Sequence, residues 1–248
     1  MTAALTIDRV NKSFSLHGNN RDVLRDISFG VGKGEIVGIL GASGCGKSTL
    51  LRLIIGLDRQ YDGRIVVAGG QAGERNHNVG MVFQDHRLFP WLTVAQNVGL
   101  ALDRSALPPV QKAERIRHYV HLVGLTEFID AYPKQLSGGM AQRAAIARAL
   151  VMEPDILLMD EPFGALDSLL RLRLQDELLH IWQRHAVSIV LVTHDIEEAL
   201  YLSDKVIVLE ANPGRIRSTI DVRLDRPRRR DDARLSALKQ HCMDIVLT

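Results

Sequence analysis

The sequence predicts an α/β fold in which a parallel-sheet core is interrupted by an all-helical block. Three apolar runs carry the first half of that statement: "EIVGIL" (Glu35–Leu40), "DILLMD" (Asp155–Asp160) and "SIVLVT" (Ser188–Thr193). None alternates in the manner of a half-exposed strand, so all three fit strands covered on both faces. Each is followed by a segment with helical periodicity, the order expected of strand–helix–strand units. From Thr93 to about Met152 the pattern is mostly helical, so a helical insertion explains the order better than two sequential domains.

The elements follow in turn. "EIVGIL" is rich in β-branched residues and bounded by glycines, and "KSTLLRLIIG" after it is helical and stops at Gly56. "RIVVAGG" and "VGMVFQ" are further strands. In the helical block, Thr93 caps "LTVAQNVGLAL", prolines open "PPVQKAERIRHYVHLVG" before its closing glycine, and Ser137 caps "MAQRAAIARALVM". An amphipathic helix around "LLRLRLQDELLHIWQRH" separates the last two apolar strands. Asp195 and Glu198 form a capping-box pattern ahead of "IEEALYLS".

Composition narrows the class. With 248 residues there is ample chain for a core, and 46% hydrophobic and 24% charged residues are ordinary for a globular protein. A net charge of +2 is too weak to argue for nucleic acid. Of the two cysteines, Cys45 lies in a glycine loop, so a disulfide framework is not expected and a reducing compartment fits. No apolar run approaches the roughly 18 residues of a membrane span, and the start "MTAALTIDRV" lacks the pattern of a secretory signal. The expectation is a cytoplasmic chain whose membrane role, where it has one, comes through a partner.

Chemistry concentrates at strand exits. "GASGCGKST" (Gly41–Thr49) matches G-x-x-x-x-G-K-[ST] between a strand and a helix. Its glycines let backbone N–H groups face phosphate oxygens, the helix N-terminus adds positive potential, Lys47 reaches the β- and γ-phosphates, and Ser48 can ligate Mg²⁺. Cys45 reads as a small loop residue. Asp160 and Glu161 end a buried strand, where paired carboxylates are poor core residues; Asp160 suits Mg²⁺ and Glu161 suits polarising an attacking water. Gln84 and His194 also close strands, and the Gln84 amide can bind Mg²⁺ or water. "QLSGGMAQR" (Gln135–Arg143) starts a second helix on two glycines, a second anion site. One complete cradle already serves one nucleotide, so the second site is better used on a nucleotide held by another copy of the chain in a symmetric dimer.

The order "GASGCGKST", Gln84, "LSGGMAQR", "ILLMDEP", "ALD", His194 resembles the ATP-binding cassette (ABC) ATPases from about Leu5 to Gly214. The resemblance implies a phosphate-loop NTPase (RecA-like) core, residues 1–84 and 156–220, with a small N-terminal antiparallel β region. A helical signature subdomain at 85–155 and a C-terminal tail at 221–248 complete the chain. Gly41, Ser43, Gly44, Cys45, Gly46, Lys47, Ser48 and Thr49 would form the phosphate loop and Gln84 the Q-loop. Ser137, Gly138 and Gly139 would form the signature that closes on the partner's ATP. Asp160 would organise Mg²⁺, with Ser48 and Gln84, Glu161 would be the general base, Asp167 would lie at the dimer seam, and His194 would be the switch histidine. Phe14 falls where the family stacks adenine, or it is core.

The signature's fifth residue is commonly Gln and here is Met140. That feature, with "FQDHRLFPWLTVAQNV" and "NPGRI" (Asn212–Ile216), resembles importer ATPases of the nitrate, sulfonate and taurine type, nearest to aliphatic-sulfonate import. The expected partners are a second copy head to tail, two transmembrane permease subunits at the cytoplasmic face of the inner (plasma) membrane, and indirectly a solute-binding protein. Nucleic acid is not expected. A soluble ABC ATPase acting on ribosomes or DNA is the rival reading, but one cassette with no long coiled coil before the signature argues against it; an exporter subunit is the minor alternative. Trp91, in "FPW" after Gln84, is either core at the seam of the helical block or part of a groove receiving a permease helix. His118 and His121 read as a solvated helix face, and "RPRRRDD" (Arg226–Asp232) as a solvated run.

Overall fold

The apolar runs become buried strands and the periodic runs become helices. The computed structural model describes residues 3–16, 19–72, 79–164, 166–185 and 187–247. In chain order the elements are β1 (Ala3–Leu16), β2 (Asn19–Gly32), β3 (Ile36–Gly41), α1 (Lys47–Ile54), β4 (Asp62–Val67), β5 (Gly70–Gln71), β6 (Val79–Val82), α2 (Val94–Gly99) and α3 (Pro109–Leu122). There follow α4 (Gly138–Leu150), β7 (Ile156–Asp160), α5 (Ser168–His185), β8 (Ser188–Thr193), α6 (Ile196–Leu202), β9 (Lys205–Glu210), β10 (Arg215–Asp221) and α7 (Ala233–Leu247). The chain divides into two units, one of Met1–His77 with Val187–Thr248 and one of Asn78–Ala186.

In the first unit β3 lies between β8 and β9 and runs parallel to both, with β10 antiparallel on β9. Every residue of β3 and of β8 is buried, which is why neither run alternates. A second sheet, in the order β2-β1-β4-β5, is antiparallel throughout. Leu5, Ile7, Val10, Ile27 and Val31 fill its covered face.

In the second unit β6 pairs in parallel with β7, Val79 opposite Ile156 and Val82 opposite Met159. Helices α2, α3 and α4 pack on one another, and α5 packs on α4. The consecutive residues Ala144, Ala145, Ile146 and Ala147 are all buried, so α4 is covered all round here, and its small side chains let neighbours approach. The expected signals work: Thr93 makes a full capping box with Gln96, Pro109 opens α3, and the chain leaves that helix through Gly124 at φ +67.

One expectation is corrected. "RPRRRDD" is not a solvated run throughout, because Arg228 is only 6% exposed. Its Nη1 donates to the carbonyls of Leu200 (2.8 Å), Tyr201 (3.0 Å) and Ser203 (2.6 Å), the end of α6. Nη2 reaches the Val222 carbonyl at 3.3 Å and Nε the Leu224 carbonyl at 3.3 Å. Neighbouring Arg226 is paired with Asp204 and donates to the Leu202 carbonyl. Carbonyls that a helix leaves without partners at its C-terminus, together with the negative end of its dipole, form a cation site. Burial, with Arg226 beside it, pulls the Arg228 pKa down to about 10, so it stays a cation at neutral pH. Arg228→Met should cost about 3 kcal/mol, or about 6–12 °C in Tm, because buried carbonyls lose their donor. Arg229→Ala, an exposed residue paired with Asp231, should leave thermal unfolding unchanged.

Candidate functional site

Strand exits gather the functional residues within each unit. In the first, β3 delivers Gly41 and β8 delivers His194, and the two strands are register partners at Leu40 and Thr193. His194 is exposed, and the next residue, Asp195, caps α6 by accepting from the N–H groups of Glu197 and Glu198. The loop bends into α1 at Gly46, which holds φ +99, and a Cβ there would meet Leu24 Cδ2 at 2.5 Å. Only glycine satisfies both demands. Lys47, buried at the first turn of α1, donates to the carbonyls of Gly41 (2.7 Å) and Ala42 (3.0 Å), so its ammonium lies along the loop. Ser43, Gly44 and Ser48 are exposed beside it and Thr49 is half-buried. Cys45 is buried, and burial raises its thiol pKa, which fits packing beneath the loop rather than reactivity.

Phe14 lies two residues along β1 from a position whose β2 partner borders this loop. In the β1–β2 ladder Lys12 pairs with Leu24 and Phe14 with Arg21, and Leu24 is the residue that touches Gly46. The Phe14 ring is 39% exposed, so it is not core.

In the second unit β6 and β7 lead into Gln84 and the Asp160–Glu161 pair: Gln84 is two residues beyond Val82, and Asp160 and Glu161 are one and two beyond its partner Met159. Glu161 holds φ +46, a strained conformation for a residue with a side chain, and its carbonyl accepts from Gly164 N at 3.1 Å. A Cβ on Gly164 would stand 3.4 Å from Gln84 Nε2 and 3.8 Å from Glu161 Cβ, so the Gln84 amide and the base of the Glu161 side chain both border that glycine. Ser137 caps α4 by accepting from Met140 N at 3.3 Å, which leaves the N–H groups of Gly138 and Gly139 at the open helix start. The two glycines differ. A Cβ on Gly139 would strike Leu170 at 2.7 Å, so this one is needed for packing against α5. One on Gly138 would find only Leu166, at 3.8 Å, so the exposed Gly138 leaves room for something outside the helix. Asp167 is exposed and accepts from Leu170 N at 3.0 Å, capping α5. A cleft of about 360 Å³ is lined by residues that include Gln84, Asp85, His86, Gly138 and Gln142, bringing Gln84 and Gly138 to one surface.

The ABC transporter family model matches residues 24–164. The chain belongs to that family. An aliphatic sulfonates import ATP-binding protein of Bacillus subtilis (strain 168) is 44% identical, over 97% of this chain and 93% of its own length. A protein of the same name from Xanthomonas axonopodis pv. citri (strain 306) is 47% identical over 91% and 90%. A dimeric post-hydrolysis structure of an ATP-binding cassette bound to ADP and Pi matches with a TM-score of 0.76 at 30% identity, over 89% of this chain and 100% of that one. The structure of cbiO1 from Clostridium perfringens, part of an ABC transporter complex, matches with a TM-score of 0.81 at 25% identity, over 99% and 95%. The phosphate-loop NTPase fold expected from the sequence is thus the fold of this chain. As an ABC cassette it binds ATP and hydrolyses it to drive transport.

Several supports of this ABC cassette escaped the sequence reading. Gln142 Nε2 donates to the Phe83 carbonyl (3.3 Å), and Arg148 donates to those of His86 (2.9 Å) and Arg87 (2.8 Å). The helix that opens on the signature therefore grips the backbone on both sides of Gln84. Asn97, fully buried, accepts from Phe89 N (2.8 Å) and donates to the carbonyls of Phe89, Leu92 and Thr93, fixing the turn that carries Trp91. Trp91 itself is 68% exposed, which removes the core alternative. The glycine of "NPGRI" sits against the phosphate loop: a Cβ on Gly214 would lie 2.2 Å from the Cys45 carbonyl. No spacing rule finds these residues, because each acts on backbone carbonyls or contacts distant in sequence.

Proposed function

We propose that this chain is the ATP-hydrolysing subunit of an importer of aliphatic sulfonates or similar anions such as taurine or nitrate. The observation that carries the reading is the pair of unequal glycine-opened helix starts. The one at α1 has a lysine and a complete loop; the one at α4 has open N–H groups and exposed Gly138 but no lysine of its own. A half-cradle is useful when a nucleotide is brought to it, so two copies associate head to tail, each offering Ser137, Gly138 and Gly139 to ATP held on the other's Gly41–Thr49 loop. Lys47 lies along the loop against the Gly41 and Ala42 carbonyls, and the β- and γ-phosphates offer it charged acceptors, to which hydrogen bonds are stronger. Phe14 offers its exposed face to adenine. Glu161 takes the proton of the attacking water, and His194 and Gln84 hold the γ-phosphate and that water in line. Asp167 faces the dimer seam.

Ser48, Gln84 and Asp160 present a hydroxyl, an amide and a carboxylate, the oxygen donors a hard dication takes, and they would hold Mg²⁺, which neutralises charge between the phosphates. The solute assignment is supported by relatives 42–47% identical over nearly their full lengths that are named for aliphatic sulfonates import. Among the described residues no helix is long and apolar enough to cross a membrane. In this reading two permease subunits hold the chain at the cytoplasmic face of the plasma membrane, and a solute-binding protein delivers the anion to them. Affinity purification from membranes tests the assembly: permease chains should co-purify, and ribosomes or DNA in their place would sink it. Loss of growth on an alkanesulfonate as sulfur source on deletion of the gene, restored by the wild-type chain, tests the solute.

Trp91 supplies a further test. With Phe89, 43% exposed, it forms an aromatic pair (ring centroids 5.4 Å apart) on the turn that Asn97 stiffens. Exposed aromatics on a rigid base are favoured interface anchors. Trp91→Ala should leave the Tm and ATPase of the isolated chain nearly unchanged while weakening permease association about tenfold or more. A fall in Tm with transport unaffected would show a packing role.

A further inference from the structure

We propose that Lys12 is a positioning residue for the nucleotide base: its ammonium, fixed from below, backs one face of the Phe14 ring and sets the other face for adenine. The proposal rests on the reading of Phe14 given above. Lys12 and Phe14 lie two apart on β1, where the ladder with β2 shifts register between Lys12 and Ser13, and the ammonium nevertheless meets the ring, so the two side chains share a side. They differ in depth. Lys12 is 4% exposed and Phe14 39%, and the ammonium lies 4.6 Å from the ring centroid, a cation–π contact.

The cation cannot drift. Its Nζ donates to Asp58 Oδ1 (2.9 Å) and to the Gln60 carbonyl (2.6 Å), with Asp58 Oδ2 at 2.8 Å. Asp58 is in turn held by Gln60 N, at 3.0 Å to Oδ1. The hydrogen bond from Lys12 keeps the Asp58 carboxyl below the usual carboxylate range, so the carboxylate stays ionised at neutral pH. A buried ion pair is weak evidence for stability, since apolar side chains of similar size often do as well. Its placement gives the better reason. Lys12 pairs across the ladder with Leu24, which touches Gly46 at the start of α1. Asp58 lies just beyond the other end of that helix, its N–H donating to the Arg52 carbonyl at 3.3 Å. The Lys12 side chain thus ties the ring to the segment that follows α1, while the Lys12 backbone pairs with Leu24, whose side chain lies against the start of that helix.

The test is calorimetric titration of the full chain with ATP and with inorganic tripolyphosphate, each with Mg²⁺. Wild type should prefer ATP, and Phe14→Ala should erase most of that preference. Lys12→Met should reduce it about two- to fivefold with tripolyphosphate affinity unchanged, and should add nothing in the Phe14→Ala background. In turnover, KM for ATP should rise by the same factor while kcat moves less, and Lys12→Arg should restore most of the loss. Should Lys12→Met fail to fold, Lys12→Met with Asp58→Leu removes both charges and must show the same loss. Equal weakening of ATP and tripolyphosphate, or no change in either, overturns the proposal. An unchanged preference in Phe14→Ala removes the adenine platform itself and the proposal with it.

Discussion

Glu161→Gln should lower steady-state ATP turnover by at least about 100-fold while ATP binding stays close to normal. The substitution keeps the shape and hydrogen-bonding reach of the side chain and removes only its ability to accept a proton. Position makes this loss decisive. Glu161 follows directly on Asp160 at the mouth of β7, in a strained left-handed conformation, beside the Gln84 amide across Gly164. Such strain persists only where surrounding structure enforces it. In the proposed sandwich, ATP closes the dimer and hydrolysis reopens it. With the base gone, closure has no exit, so ATP should convert Glu161→Gln from monomer to a long-lived dimer by size-exclusion chromatography with light scattering. Near-normal turnover in this variant would falsify the general-base assignment. Loss of turnover without ATP-stabilised dimer would leave the base in place and count against the sandwich.

The sequence exposed the parts of this protein whose chemistry is local. Gly46 and Lys47 are legible because loop and helix start are consecutive in the chain, and the Thr93 cap because it directly precedes the helix it starts. Apolar runs such as Ile36–Gly41 declare a strand covered on both sides without any partner being known. What stayed hidden acts over distance. Lys12 meets Asp58 after 46 residues, and Arg148 reaches back 62 to the His86 carbonyl. Arg228 misled most. Among arginines and aspartates it looks like any solvated charge, and only the placement of the end of α6 beside it shows that a cation is wanted there. Trp91 sat between two readings for a related reason: its exposure depends on Asn97, six residues on, holding the turn outward. Backbone carbonyls are common to all residues, so their recruitment leaves no mark in composition or period.

Lys47→Ala and Ser137→Arg should each abolish ATPase activity alone, yet an equal mixture should regain part of it. Lys47→Ala removes the ammonium that runs along the phosphate loop and leaves the glycine-built backbone in place. Ser137→Arg puts a long side chain over the exposed start of α4 and removes the cap on Met140 N, at a cost of about 1 kcal/mol that a chain of this size tolerates. The two lesions belong to different halves of a site only where sites are shared between copies. A mixed dimer then has one site carrying both defects and one carrying neither. Random exchange makes half of the dimers mixed, each with one intact site in two, so recovery has a ceiling of about a quarter of wild-type activity. Cooperation between the two sites would lower it further, which makes weak recovery the expected result. Activity is measured after the two variants are incubated together without nucleotide, with exchange monitored separately by labelled subunits. Recovery above the sum of the single variants supports sites built from both chains. Proven exchange with no recovery at all argues that each chain completes its own site, or that both sites must be intact; a linked tandem dimer with one wild-type half and one Lys47→Ala half separates these, because self-contained sites predict half of normal turnover.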